Sequence, residues 1–99
     1  MRYEVRYTDG ARADLLRLTD FLAAKDPDAA DRAVQTLARA VGILEEFPYT
    51  CRRAGADDPF LRELVVPFGG NGYVVLFHIG IAHVTLLALR HQREDDYFA

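Results

Sequence analysis

Cysteine is almost missing from this chain: Cys51 stands alone among 99 residues. A single thiol makes no intrachain disulfide and supplies no thiolate metal cluster, so a reducing cytoplasm is the expected compartment. Tryptophan is absent and proline occurs 4 times; there are no linkers, repeats or low-complexity segments to divide the sequence. No apolar run approaches the length of a membrane span, since His78 interrupts the longest stretches, Tyr73–Phe77 and Ile79–Ala82. The start, Met-Arg-Tyr-Glu-Val, alternates polar and apolar residues and has no signal-peptide core. An excess of positive charge is lacking too, with 12 basic and 15 acidic residues giving a net charge of −3. Free-standing nucleic-acid binders are usually basic, because neutralising phosphates supplies most of their affinity. No basic stripe is present, and no direct sequence-specific nucleic-acid binding is expected.

What is there suffices for one modest core. Hydrophobic residues make up 51% and aromatics 11%, and a chain of this length rarely supports two cores, so residues 1–99 are expected to form a single domain. Residues 2–8 alternate with period two, with Tyr3, Val5 and Tyr7 on one face of a short strand. Thr8 or Asp9 then offers a helix cap. Ala11, Leu15, Leu18 and Leu22 form the apolar stripe of a first helix to about Lys25, with Arg12, Arg17 and Asp20 turned to water. Asp26-Pro27 breaks and restarts the helix, with Asp28 and Asp31 near its positive end. The second helix places Ala30, Val34, Leu37, Val41 and Leu44 on one face and ends near Phe47. So short a link makes the two helices an antiparallel hairpin.

Tyr49–Pro59 reads as a loop, Phe60–Val66 as the second strand and Pro67–Gly72 as a glycine-rich turn. Tyr73–Ile79 and His83–Arg90 are the third and fourth strands, joined by a tight connection. The order βααβββ predicts a two-layer α+β domain, a helical hairpin on one face of a mainly antiparallel four-stranded sheet. A strand follows Gly69-Gly70-Asn71-Gly72, so this is a hairpin turn and no phosphate loop.

The richest chemistry lies where the last strand ends, in Arg90-His91-Gln92-Arg93-Glu94-Asp95-Asp96-Tyr97. RNA cleavage needs a base for a ribose hydroxyl, a cation for the phosphate and an acid for the leaving oxygen. His91, then Arg90 or Arg93, then Tyr97 or Glu94 offer those residue types. The plainer account is a solvated strand end with internal salt bridges, which are common and individually weak. Alternation along the strand puts Arg90 on the face of Val84, Leu86 and Ala88, with His91 on the other. Arg62 could join the rim arginines or pair with a carboxylate such as Glu63, and Arg52-Arg53 could flank the same surface. His78, His83 and His91 have no metal-motif spacing, so no metal and no cofactor is expected. Cys51 beside Arg52 lacks the adjacent base of a nucleophile and reads as an ordinary thiol.

Taken in order, particular segments resemble the RelE/ParE toxin superfamily of bacterial type II toxin–antitoxin systems. They are Asp14-Leu15, Pro27-Asp28-Ala29-Ala30-Asp31-Arg32, Leu44-Glu45-Glu46-Phe47-Pro48, Leu61-Arg62-Glu63-Leu64, Gly72-Tyr73 and Leu89-Arg90-His91-Gln92-Arg93-Glu94-Asp95. Similarity to the mRNA-cleaving members would imply catalysis by Glu63, His91, Arg93 and Tyr97. Those members are generally basic and carry an arginine just after the Gly-Tyr pair, where Val74 stands here. The Pro-Asp-Ala-Ala-Asp helix and its Phe-Pro ending are similar to the ParE branch. That resemblance implies a toxin that traps DNA gyrase without catalytic residues of its own, neutralised by direct binding of a cognate antitoxin. Arg62, Arg90, His91, Arg93 and Tyr97 are then expected to grip the target or the antitoxin.

Overall fold

Alternation at the start of the chain does produce a strand, though a short one. In the computed structural model, which describes residues 2–97, strand β1 spans Glu4–Tyr7. Thr8 caps helix α1, Asp9–Ala23, by accepting the Ala11 N–H at 3.1 Å. Asp26 caps helix α2, Pro27–Gly42, by accepting the Ala29 N–H at 3.1 Å. Proline at the first turn costs nothing there, because that N–H has no helical partner anyway. A 3-10 turn, Ile43–Glu45, extends the axis, and Leu44 on it is fully buried.

Three long strands close the chain: β3 at Leu61–Phe68, β4 at Asn71–Ile79 and β5 at His83–His91. The sheet carries one strand more than the sequence suggests. Within the expected loop, Arg52–Arg53 forms a two-residue strand, β2, opposite Glu63 and Arg62 of β3. A pairing that short leaves no periodicity to read. The sheet order is β1-β5-β4-β3-β2, with β1 parallel to β5 and the other pairs antiparallel.

Both helices lie on one face of the sheet. Ala11 and Leu18 of α1 and Ala33, Leu37 and Val41 of α2 pack with Leu44 against Val66, Tyr73, Val75, Phe77, Ile79, Val84, Leu86 and Leu89. Two expectations fail within that layer. Val34 is 45% exposed, and Ala33, at 0%, takes its place against the sheet. The buried side of α2 is Ala29, Ala30, Ala33, Leu37 and Val41, so small side chains, which suit close packing, fill its first half. Arg17 is half-buried against Asp14 and Glu94, although its position on the helical wheel turned it to water.

The closing strand also departs from simple alternation. Leu76 pairs with Ala88 but Phe77 pairs with Leu86, so Leu87 is an extra residue, a β-bulge. The bulge reverses the face of everything after it. Leu89 joins Val84 and Leu86 in the core, His91 follows it onto the helix side, and Arg90 turns to the open face beside Val74.

Candidate functional site

Two surfaces meet at the end of β5. On the helix side lies a groove of about 670 Å³ between the second half of α1, the β3–β4 hairpin and the first residues after β5. Phe21, Leu22, Phe68 and Tyr73 give it an apolar wall, and Arg17, Lys25, His91 and Arg93 bring cationic or imidazole groups to it. Phe21 is 65% exposed, and Lys25 sits over its ring with Nζ 4.3 Å from the centroid. The spacing of these two, four residues apart on one side of α1, favours that contact.

His91 enters this groove edge-on to Tyr73, with ring centroids 5.7 Å apart. Its Nδ1 accepts the Arg93 backbone N–H at 3.1 Å, and its own backbone N–H donates to Glu94 Oε1 at 2.9 Å. Arg93 is exposed, and its Nε donates to Asn71 Oδ1 at 2.9 Å. Glu94 also faces Arg17, whose Nη1 lies 3.2 Å from Oε2. Arg17 reaches in turn to Asp14 Oδ1 at 3.6 Å.

On the open face of the sheet a second cluster forms. The Arg90 guanidinium lies over the Tyr97 ring, 5.2 Å from its centroid. Tyr97 donates its hydroxyl to Glu63 Oε2 at 2.6 Å, and Arg52 binds Glu63 Oε1 at 3.0 Å. Arg90 Nη1 donates to the Glu94 carbonyl at 2.9 Å, which holds the tail across the sheet. Val74 is 2% exposed between these groups, although it points away from the helices. Burial pushes the Tyr97 phenol well above its ordinary range, and the bond to Glu63 and that carboxylate's charge add to the rise against the opposing pull of Arg90. A carboxylate accepting from the phenol favours the neutral form.

The residues named from the sequence therefore divide. His91 and Arg93 serve the groove, while Arg90, Tyr97 and Glu63 serve the open face. Arg62 joins neither. It turns to the helix side at the far edge, where its Nε donates to the Pro59 carbonyl at 2.7 Å and its Nη1 to those of Tyr49 and Cys51 at 3.3 and 2.9 Å. Cys51 is half-buried there, and burial pushes its thiol up. Sequence reading missed Arg17, Phe21 and Lys25 as groove residues. The signal for them was an aromatic and two cations recurring at helical spacing beside the core stripe. Phe98, at the end of the closing segment, lies outside the described residues.

The family model described as the ParE toxin of the type II toxin–antitoxin system parDE matches residues 5–96. The chain belongs to the ParE toxin family. This ParE-family toxin is 33% identical to Toxin RelE3 of Caulobacter vibrioides over 84 residues, covering 85% of the chain and 88% of that relative. It is 34% identical to Toxin RelE1 of the same organism over 87 residues, covering 86% and 90%. A solved structure described as a chromosomal ParDE TA system from P. aeruginosa shares the fold with a TM-score of 0.73 at 21% identity, over 95% of this chain and 98% of that one. Membership makes the chain a toxin of a type II toxin–antitoxin system, and a system of that type implies a cognate antitoxin. No helix among the described residues is long and apolar enough to cross a membrane.

Proposed function

We propose that this ParE-family toxin poisons DNA gyrase by binding it, with no chemistry of its own, and that a cognate antitoxin neutralises it by direct contact. One observation carries the preference for binding over RNA cleavage. His91 and Tyr97, the base and one of the two acids of the cleavage reading, lie on opposite faces of the sheet, with β5 between them. Glu94, the other acid, lies on the His91 side with its carboxylate held as an acceptor by Arg17 and the His91 N–H. A general base and a general acid must reach one scissile phosphate, and groups separated by a strand do not. Tyr97 is also engaged by Glu63, and Val74 supplies no cation beside Arg90. The rim then works by recognition, with Arg90, His91, Arg93 and Tyr97 as its contact residues.

The groove suits the antitoxin. Its apolar wall offers anchoring area, and Lys25 and Arg93 favour acidic side chains on the incoming segment. A flexible segment that folds on binding fits such a surface, because it covers a long groove at the cost of its own ordering.

Purified gyrase, relaxed plasmid and the toxin decide the target. The expected result is loss of supercoiling with accumulation of cleaved DNA, both prevented by prior addition of the antitoxin. Normal supercoiling, together with transcripts cut on ribosomes, would overturn the reading. The RelE names of the Caulobacter vibrioides relatives favour including that ribosome assay.

A further inference from the structure

The groove and the open face are tied together by one residue. Glu94 accepts from the backbone N–H of His91 and from Arg17 through its carboxylate, while its carbonyl accepts from Arg90. Arg17 leads back to Asp14, which is bonded to the backbone of β5. Arg90 leads on to the Tyr97 ring, and Tyr97 to Glu63 and Arg52. The result is a continuous polar chain that starts buried under α1, rounds the end of β5 and finishes on the opposite face at β2. Every link except the middle one joins neighbours on a single face. Glu94 contacts both, with its side chain on the helix side and its backbone holding the residue that carries Tyr97.

We propose that Glu94 is the positioning residue of the rim, acting through Arg90 to seat Tyr97 on the open face. The geometry gives the reason. After β5 ends, the backbone is held by the Gln92 N–H on the Gly72 carbonyl at 2.9 Å and by the Glu94 N–H on the His91 carbonyl at 3.0 Å. Neither bond fixes the Glu94 side chain or the residues after it. An ion pair with a helix-borne arginine supplies the missing constraint, since Arg17 is held in place by α1 and by Asp14. Removing the Glu94 carboxylate leaves Arg90 and Tyr97 chemically intact but lets the segment between them swing. This rests on the reading that the rim is the working surface, and its test reads the two separately.

Fluorotyrosine labelling of the whole chain tests it by fluorine NMR. The Tyr97 signal is the one lost in Tyr97→Phe. In Glu94→Ala that signal should move towards the position found in the denatured chain, while those of Tyr7 on β1 and Tyr49 beside Arg62, outside the polar chain through Glu94, stay put. Glu94→Gln keeps an acceptor for the His91 N–H and loses the ion pair, so a smaller shift in the same direction is expected. It also serves as the reporter should the alanine variant fail to fold. An unmoved Tyr97 signal in a folded Glu94 variant, or equal shifts of all three tyrosines, would overturn the proposal. Growth inhibition by the same variants addresses the underlying reading. A displaced Tyr97 with undiminished toxicity would leave Glu94 as the residue that seats Tyr97 and remove the rim from the toxic surface.

Discussion

Asp14 of helix α1 accepts the backbone N–H of Leu89 in strand β5 at 2.9 Å. The need for this bond arises from the length of β1, whose last paired residue, Tyr7, sits opposite Leu86. Beyond that point the outer edge of β5 has no strand beside it, and α1 covers it instead. Thr8 binds the carbonyls of Leu86 and Leu87 through its hydroxyl, at 2.9 and 3.2 Å, and Asp14 takes the next exposed donor. A buried N–H without a partner is costly, so Asp14→Ala should destabilise the fold by about 1–3 kcal/mol. Asp14→Asn, which keeps an acceptor, should lose less. Urea denaturation of the two variants checks the order, and equal losses would mean that the charge near Arg17 matters more than the hydrogen bond.

Gly72 faces a tighter constraint than the turn glycines. A Cβ built there would lie 2.3 Å from the Val66 carbonyl oxygen, a backbone atom that cannot swing aside. Its own carbonyl accepts the Gln92 N–H at 2.9 Å, so the same residue helps to dock the tail. Gly72→Ala should therefore force the β3–β4 hairpin apart, at a cost of about 1–3 kcal/mol by analogy with overpacked cores. Gly70, with open space around it, should accept alanine with little change. Thermal unfolding of the pair separates a steric effect from a general intolerance of the hairpin.

Much of this architecture was legible in the sequence because it rests on period and punctuation. Asp26-Pro27 and the stripe Ala11, Leu15, Leu18 and Leu22 mark the helices by capping chemistry and spacing alone. The closing strands are as plain, since their apolar runs are broken by glycine. What escaped depends on contacts between distant residues. The choice of Ala33 over Val34 for the core reflects how α2 is turned about its axis when packed, which no local pattern encodes. The Leu87 bulge moved His91 and Arg90 to exchanged faces, and one extra residue in a ladder has no sequence signature here. The groove was hidden for the same reason, because Arg17 and Glu94 meet only after α1 folds over the end of β5.

Stability should fall as the solution becomes strongly alkaline. The phenols of Tyr97, Tyr7 and Tyr73 are all raised from the ordinary value of 10.0, chiefly by burial. A group whose folded pKa is raised contributes stability in full below its unfolded pKa and loses it as pH rises beyond that point. The unfolded chain ionises near pH 10.0 while the folded chain resists, so unfolding releases the protons and gains ground above that pH. The Cys51 thiol, raised from 9.0 by burial, begins the same trend slightly earlier. Tyr97→Phe should flatten part of the decline because it removes the phenol that also bonds Glu63. Denaturation midpoints measured across the alkaline range test this, and an identical slope in the variant would show that Tyr97 ionises as freely folded as unfolded.

Arginines 62 and 93 should behave in opposite ways, although a sequence reading groups them. Arg62 ties three carbonyls of the 49–59 segment together and stacks on the Tyr49 ring at 5.5 Å. Arg62→Ala frees those carbonyls and should cost about 1–3 kcal/mol, with part of the loss offset by water because the site is partly open. Arg93 is exposed, and its guanidinium is bonded to Asn71 at the mouth of the groove. Arg93→Ala should change stability by no more than about 0.5 kcal/mol, as exposed substitutions do. Its effect should appear in antitoxin affinity, where losing a rim cation reduces the association rate and its dependence on salt more than it raises the dissociation rate. Binding kinetics at low and high salt, set beside the melting curves of both variants, check the contrast. A destabilised Arg93→Ala, or an Arg62→Ala that melts normally and binds poorly, would reverse the assignment of structural and recognition roles.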